Sequence, residues 1–299
     1  MHRAGRISVL AAIALLVGFA APLASPPPTA AAQPGGASAK APPPVLATVY
    51  VFRPMGGKVA TPEMDNLAEK VRARGLAAEV YNYIDWVRPA TEAIARYKAE
   101  TWKSPIIAVG HSAGGDSAIR FATWLNRAGV PVDLIVTLDP TRIAGRVPRN
   151  VERFINIYSS MNTLGGGDPL PAADFNGHFA SVDLKNYPNL WHVYLPRITG
   201  LQERVVDKIA AVAEEPDPAD GPAERIEYAI PRGEPIVLWD SGRRVPVEAG
   251  DTAAAVGARY DVPAWAVAEL NHVDPARPLV AGREVVVPQD TDSGAQQAH

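Results

Sequence analysis

Residues 104–121, SPIIAVGHSAGGDSAIRF, decide how the rest of this chain is read. An apolar, β-type run from Pro105 to Val109 meets Gly110-His111-Ser112-Ala113-Gly114, and a helix-type segment follows at once. G-x-S-x-G between a strand and a helix puts its serine on a tight, strained turn. Side chains at Gly110 and Gly114 would collide with the neighbouring strand and helix, so both positions call for glycine. The turn lifts the Ser112 hydroxyl clear of the sheet and sets it at a helix N-terminus. Free N–H groups and partial positive charge there can stabilise a developing oxyanion.

Working outward, strand and helix signals alternate. Residues 46–52 (LATVYVF), 77–83, 132–138 (VDLIVTL) and 154–158 read as strands, and 182–184 as a short β-like run. Thr61 is placed to cap a helix to about Ala73, with Gly75 as its stop. Helical spacing also covers 88–101, the segment from Ser112 to near Gly129, and 200–212 with Leu201, Val205, Val206, Ile209 and Val212 on one face. Strands separated by helices of this length predict right-handed crossovers and a mostly parallel sheet, hence an α/β fold. Chemistry in such sheets gathers beyond the carboxyl ends of the strands, where Ser112 and Asp139 both fall.

The bulk numbers exclude several classes. At 299 residues, 47% hydrophobic and 20% charged, the chain has the composition of a folded protein with room for one large core and a smaller module. A formal net charge of −3 gives no footprint for nucleic acid. The absence of cysteine removes disulfides, cysteine-bound zinc, a thiol nucleophile and a lipidated-cysteine anchor. Residues 1–32 read as an export signal: Arg3 and Arg6, an apolar run from Ile7 to Ala24, then small residues Ala30 to Ala32 at a cleavage site. A membrane enters only if that segment is retained. Residues 33–44 read as a Pro/Ala-rich spacer, 214–244 as an acidic linker with an unassigned segment, and 290–299 as a polar tail.

Residues 45–213, through the Ser112 motif and the order of their elements, resemble the α/β-hydrolase superfamily, particularly its small thioesterase- and lipase-like members. The resemblance implies a nucleophile, acid and histidine in that chain order. Ser112 is then the nucleophile, and Asp139, which ends the strand after the elbow, the acid. Two histidines follow. His192 precedes the closing helix and takes the place of the base, while His178, in GGGDPLPAADFNGHF, is the alternative. The oxyanion hole would use the N–H of Ala113 with that of Met55 or Gly56, since Pro54 has none. No metal or organic cofactor is implied.

After the linker the pattern changes. V-x-A-G-D-T at Val247–Thr252, A-R-Y-x-V-P-x-W at Ala258–Trp265, the helix-ending Leu270-Asn271 and L-x-x-G-x-x-V-x-V-P at Leu279–Pro288 follow in turn. Residues 245–289 therefore resemble the LysM module, a small α+β unit of βααβ order. That resemblance implies binding of N-acetylglucosamine-containing glycan such as peptidoglycan, at loops containing Gly250, Asp251, Thr252 and Asn271. Together the two resemblances imply an exported, periplasmic or wall-associated serine esterase or thioesterase with a small acyl-ester substrate. The alternatives are an inactive glycan-binding envelope protein and a wall-directed amidase or peptidase.

Overall fold

The structure is a computed structural model and describes residues 47–214 and 223–290. Residues 1–46, 215–222 and 291–299 lie outside it, and with them the export signal, the spacer, most of the acidic linker and the tail read from the sequence. Among the described residues no helix is long and apolar enough to cross a membrane.

Seven parallel strands form one sheet: β1 (Thr48–Arg53), β2 (Ala77–Asn82), β3 (Ile106–His111), β4 (Leu134–Leu138), β5 (Arg153–Tyr158), β6 (His178–Asp183) and β7 (Ile226–Ala229). Their spatial order is β2-β1-β3-β4-β5-β6-β7. The order reverses between β1 and β3, so the crevice beyond the ends of those two strands is the switch point where such sheets bind ligands.

Among the described residues seven α-helices accompany the strands: α1 (Gly57–Ala60), α2 (Glu63–Ala73), α3 (Val87–Ala99), α4 (Ala113–Arg127), α5 (Thr199–Glu214), α6 (Ala253–Arg259) and α7 (Ala264–Asn271). α2 begins at Glu63 with Pro62 at its cap, and Thr61, the expected cap, makes no such bond. Its hydroxyl is instead buried.

Side-chain alternation splits the core into two layers. Val49 and Val51 of β1, with Val109 and Val136, pack against Met64, Leu67 and Val71 of α2 and Leu201, Val205 and Ile209 of α5. Tyr50 and Phe52, with Ala108 and Ile135, pack against Ala90 and Ala93 of α3 and Ile119, Phe121 and Leu125 of α4. Both faces are covered, which is why β3 and β4 are buried at every position.

The sequence reading places 214–244 between the domains as linker and unassigned segment. The structure puts β7 there, paired to β6 with Ala180 opposite Ile226, and also β8 (Ser241–Pro246). β8 pairs antiparallel with β9 (Glu284–Gln289), so the strand that opens the small module begins at Ser241, four residues ahead of the expected start at 245. Four residues of β7 alternate too weakly to announce a strand by themselves.

The module has its own small core of Val245, Val256, Val267, Val285 and Val287. It also packs on the large sheet. Trp265 of α7 lies 6.4 Å from Tyr228 of β7 and 5.6 Å from Trp239, ring centre to ring centre. Beneath this, buried Asp240 meets His178 Nδ1 at 3.1 Å, Lys208 Nζ at 3.7 Å and Arg153 Nε at 3.8 Å. Arg153 and His178 open β5 and β6, so this charged cluster underlies the amino edge of the sheet.

Candidate functional site

The chain leaves β3 into Ser112 with φ 55° and ψ −127°, a conformation a non-glycine residue rarely holds, and enters α4 at once. The Ser112 N–H continues the ladder to the Leu138 carbonyl at 2.9 Å, and its own carbonyl accepts from Gly115 N at 2.8 Å. A β-carbon at Gly110 would run into the backbone of Gly114, and one at Gly114 into the Phe52 and Arg53 carbonyls of β1. The two glycines are therefore needed for the contact of α4 with the sheet. Strain of this kind costs about 1–3 kcal/mol and persists only where packing over-determines it.

Three expected groups meet here. His192 Nε2 lies 2.8 Å from Ser112 Oγ, and His192 Nδ1 lies 2.7 Å from Asp139 Oδ2. They are separated by 80 and 53 positions in the chain. The geometry sets the tautomer. With Nδ1–H donating to the carboxylate, Nε2 is free to accept from the serine hydroxyl.

Asp139 is wholly buried, at 0% exposure, with φ 45°. Burying a carboxyl group without partners is costly, and this one is saturated with donors. Oδ1 accepts from Ser159 N at 3.2 Å and Gly166 N at 2.8 Å; Oδ2 accepts from Asn162 Nδ2 at 2.7 Å besides His192. Gly165 is packed directly on the Asp139–His192 pair, where a β-carbon would strike both Oδ2 and Nδ1. Sequence reasoning missed Ser159, Asn162, Gly165 and Gly166. The available signal was the triple glycine 165–167, a run that marks close backbone approach.

His111, beside the serine, is not a second base. Its Nε2 donates to the His192 carbonyl at 3.1 Å, and its ring packs on that of His192 at 4.9 Å. Burial, followed by the charge of His192, pushes its pKa down to about 4, and its Nδ1 has no hydrogen-bond partner. Asp116, one turn into α4, accepts from Thr141 N at 3.1 Å and Thr141 Oγ1 at 2.5 Å, pinning the segment after Asp139-Pro140.

His178 is a correction to the alternative assignment. The short β-like run expected at 182–184 extends back to residue 178, so His178 starts β6 at the amino edge of the sheet. There it meets Asp240 and Ser241, while Ser112 stands at the opposite edge.

Ala113 opens α4, and its N–H has no acceptor among the described residues. Across the switch point, Gly57 N–H is committed to the Pro54 carbonyl at 3.0 Å, which leaves Met55 and Gly56 as the available donors on that loop. Gly56 has φ 86°, a conformation suited to glycine.

The small module departs from expectation in its side chains. Asn271 Nδ2 donates to the Val267 and Val286 carbonyls at 2.8 and 2.7 Å, and its Oδ1 accepts from Val286 N at 2.7 Å. Asp251 is buried against Glu248 N and Arg259, and Thr252 caps α6 by accepting from Ala255 N. Asp251 and Asn271 spend their side-chain hydrogen bonds within the module, whereas the half-exposed Thr252 hydroxyl keeps its own proton to donate. Gly250, at φ 88°, supplies the turn.

The fold and site define an α/β protein with an open parallel sheet, a serine–histidine–carboxylate cluster at its switch point and a small βααβ module behind. Residues 246–288 match the LysM domain family model, and this part of the chain is a LysM domain. A search of curated proteins finds no match to the chain. Among solved structures, Est1E from Butyrivibrio proteoclasticus aligns at 12% identity over 58% of this chain and 89% of its own, with a TM-score of 0.38. An esterase from Pyrobaculum calidifontis aligns at 14% identity over 58% and 78%, also with a TM-score of 0.38.

Proposed function

We propose that this protein is a serine hydrolase of ester or thioester bonds, exported and held at the cell wall by its LysM domain. The observation that carries the reading is the pair of short contacts from His192, 2.8 Å to Ser112 Oγ and 2.7 Å to Asp139 Oδ2. In this reading Ser112 Oγ attacks the acyl carbon as its proton passes to His192 Nε2. The buried Asp139 carboxylate, its other acceptor sites filled, orients the imidazole and stabilises its charged form. The oxyanion is received by the N–H of Ala113 with that of Met55 or Gly56. One such donor is worth about 10²–10³ in rate. His192 then protonates the leaving alcohol or thiol, and water releases the acyl group by the reverse path.

The LysM domain would bind an N-acetylglucosamine-containing glycan such as peptidoglycan. Since Asp251 and Asn271 spend their side chains internally, the backbone of those loops, with the Thr252 hydroxyl, would make the contacts. Export rests on the sequence of residues 1–32. A wall tether raises the local concentration of wall-borne substrate without any new contact at the serine.

A fluorophosphonate probe tests the reading. Labelling of the full chain that is lost in Ser112→Ala, with p-nitrophenyl ester hydrolysis lost in parallel, is expected. A folded wild-type protein that neither labels nor hydrolyses any ester would refute it.

A further inference from the structure

We infer that the groove between α2 and the start of α5 is a carbohydrate-binding site on the large sheet domain, distinct from the LysM domain and from Ser112. The groove encloses about 630 Å³, within the span of about 300–1,000 Å³ usual for small-molecule sites. Glu63, Asn66, Glu69 and Lys70 of α2 line it together with Arg197 and Gln202. Its walls are fixed before any ligand arrives. Leu67 and Val71 of α2 share one core with Leu201 and Val205 of α5. Ion pairs join the two sides at both ends of α2, Arg197 Nε to Glu63 Oε1 at 2.9 Å and Arg74 to Asp207. A site formed in advance loses little binding energy to ordering.

Two acceptors in the groove lack donors. Gln202 is 7% exposed and its Nε2 donates to the Pro196 carbonyl at 2.6 Å, while its Oε1 has no hydrogen-bond partner among the described residues. Glu63 Oε2, buried beside the paired Oε1, has none either. A buried polar atom left unpaired costs free energy that a ligand's donor would restore. Asn66, Glu69 and Lys70 make no side-chain hydrogen bond or ion pair among the described residues, so donors and acceptors both stand free along one wall. The carboxylates of Glu63 and Glu69 balance the cations of Lys70 and Arg197, and such a lining favours neither an anion nor a cation. Ala73 is the only apolar residue lining the groove among those described, so an alkyl chain or an apolar peptide side chain would bury little there. A neutral sugar chain meets all these conditions. Its hydroxyls donate and accept at short spacing, it carries no charge, and it asks for no apolar wall. The LysM domain on the same chain would raise the local concentration of such a strand at the groove.

The test exposes the full chain to an N-acetylglucosamine tetramer carrying a diazirine and maps the cross-links by mass spectrometry. Cross-links are expected on residues 63–73 and 197–202 as well as within the LysM domain, and excess unmodified tetramer should suppress both sets. The doubly substituted Asn66→Ala, Lys70→Ala protein should lose the groove cross-links about tenfold, as for two modest hydrogen bonds, while the LysM set stays as in wild type. Asn66 is exposed and Lys70 half-buried, alanine suits a helix, and thermal unfolding checks that the variant folds. Cross-links confined to the LysM domain, groove cross-links unmoved by the double substitution, or suppression by a peptide or a decanoate ester as readily as by the sugar overturns the inference. None of these outcomes depends on whether Ser112 is reactive, so the hydrolase reading stands or falls separately, on its fluorophosphonate labelling.

Discussion

His192 and Asp139 meet through a 2.7 Å hydrogen bond, Nδ1 to Oδ2, that is walled on one side by the backbone of Gly165. The loop after β5 therefore supplies the carboxylate's other donors and also leaves, at Gly165, just the space the imidazole occupies.

Gly165→Ala puts a methyl group where Oδ2 and Nδ1 now meet. Displacing the ring by a fraction of an ångström misaligns it with Ser112, so kcat/KM for a p-nitrophenyl ester should fall by about 10²-fold. Steady-state kinetics on protein shown by circular dichroism to be folded provide the check. Unchanged activity would mean that the histidine position is not catalytic.

Asn162→Ala removes one of the four donors that satisfy the buried Asp139 carboxyl. A loss of about 1–3 kcal/mol in urea unfolding is expected, together with a roughly tenfold fall in kcat. Asn162→Asp should be worse on both counts, because it sets a second carboxylate against the first.

Two buried groups oppose each other in acid. His111, at about 4 against an ordinary 6.5, refuses a proton that the unfolded chain accepts, so it makes stability fall as pH drops between those values. Asp133, pushed up to about 6 by burial from 3.8, takes a proton in the folded chain first, so it makes stability rise as pH drops from 6 towards 3.8. The windows overlap between about 4 and 6. Asp133→Asn, which keeps an acceptor for the Ile106 N–H, should expose the His111 effect and lower stability at pH 4.5 by about 2–3 kcal/mol relative to pH 7. His111→Asn should tilt the profile the other way. Denaturant titrations at the two pH values decide it, and parallel profiles for both variants would contradict the argument.

Asp240 joins the two parts of the chain, facing Arg153 and His178 from the large sheet while adjoining β8. Asp240→Ala strips counter-charge from a buried cluster and should cost about 3–5 kcal/mol. It should also separate LysM unfolding from that of the sheet, seen as two transitions in place of one when Trp265 fluorescence is compared with far-ultraviolet circular dichroism.

Asn271→Ala breaks three internal hydrogen bonds, one within α7 to the Val267 carbonyl and two joining α7 to Val286 of β9. It should destabilise the LysM domain by about 2–4 kcal/mol. Peptidoglycan pull-down, normalised to the folded fraction, should stay unchanged, because that side chain is turned inward. A loss of binding by fully folded protein would restore Asn271 as a direct ligand.

Much of this molecule is written in short-range pattern. β3, Ser112 and α4 follow from an apolar run, a glycine-framed serine and a helical stretch, because each is settled by neighbours within a few residues. β4 and β5 read equally well, being short apolar runs buried on both faces. β7 did not, since its residues Ile226–Ala229 take their partner from β6, far back in the chain. Thr61 illustrates a local rule overridden: a good capping residue, buried by packing while Pro62 starts the helix.

Sequence by itself determined the parallel α/β sheet, the position of Ser112 at its carboxyl edge and the LysM pattern near the C-terminus, since periodicity and turn chemistry act over a few residues. It left His192 and His178 as rivals. Only the tertiary structure decided between them, because which imidazole reaches a serine 80 positions away depends on strand direction and on where β6 begins. The donors around Asp139 and the inward turn of Asn271 belong to the same class. They are properties of burial, and burial exists only once distant segments have packed.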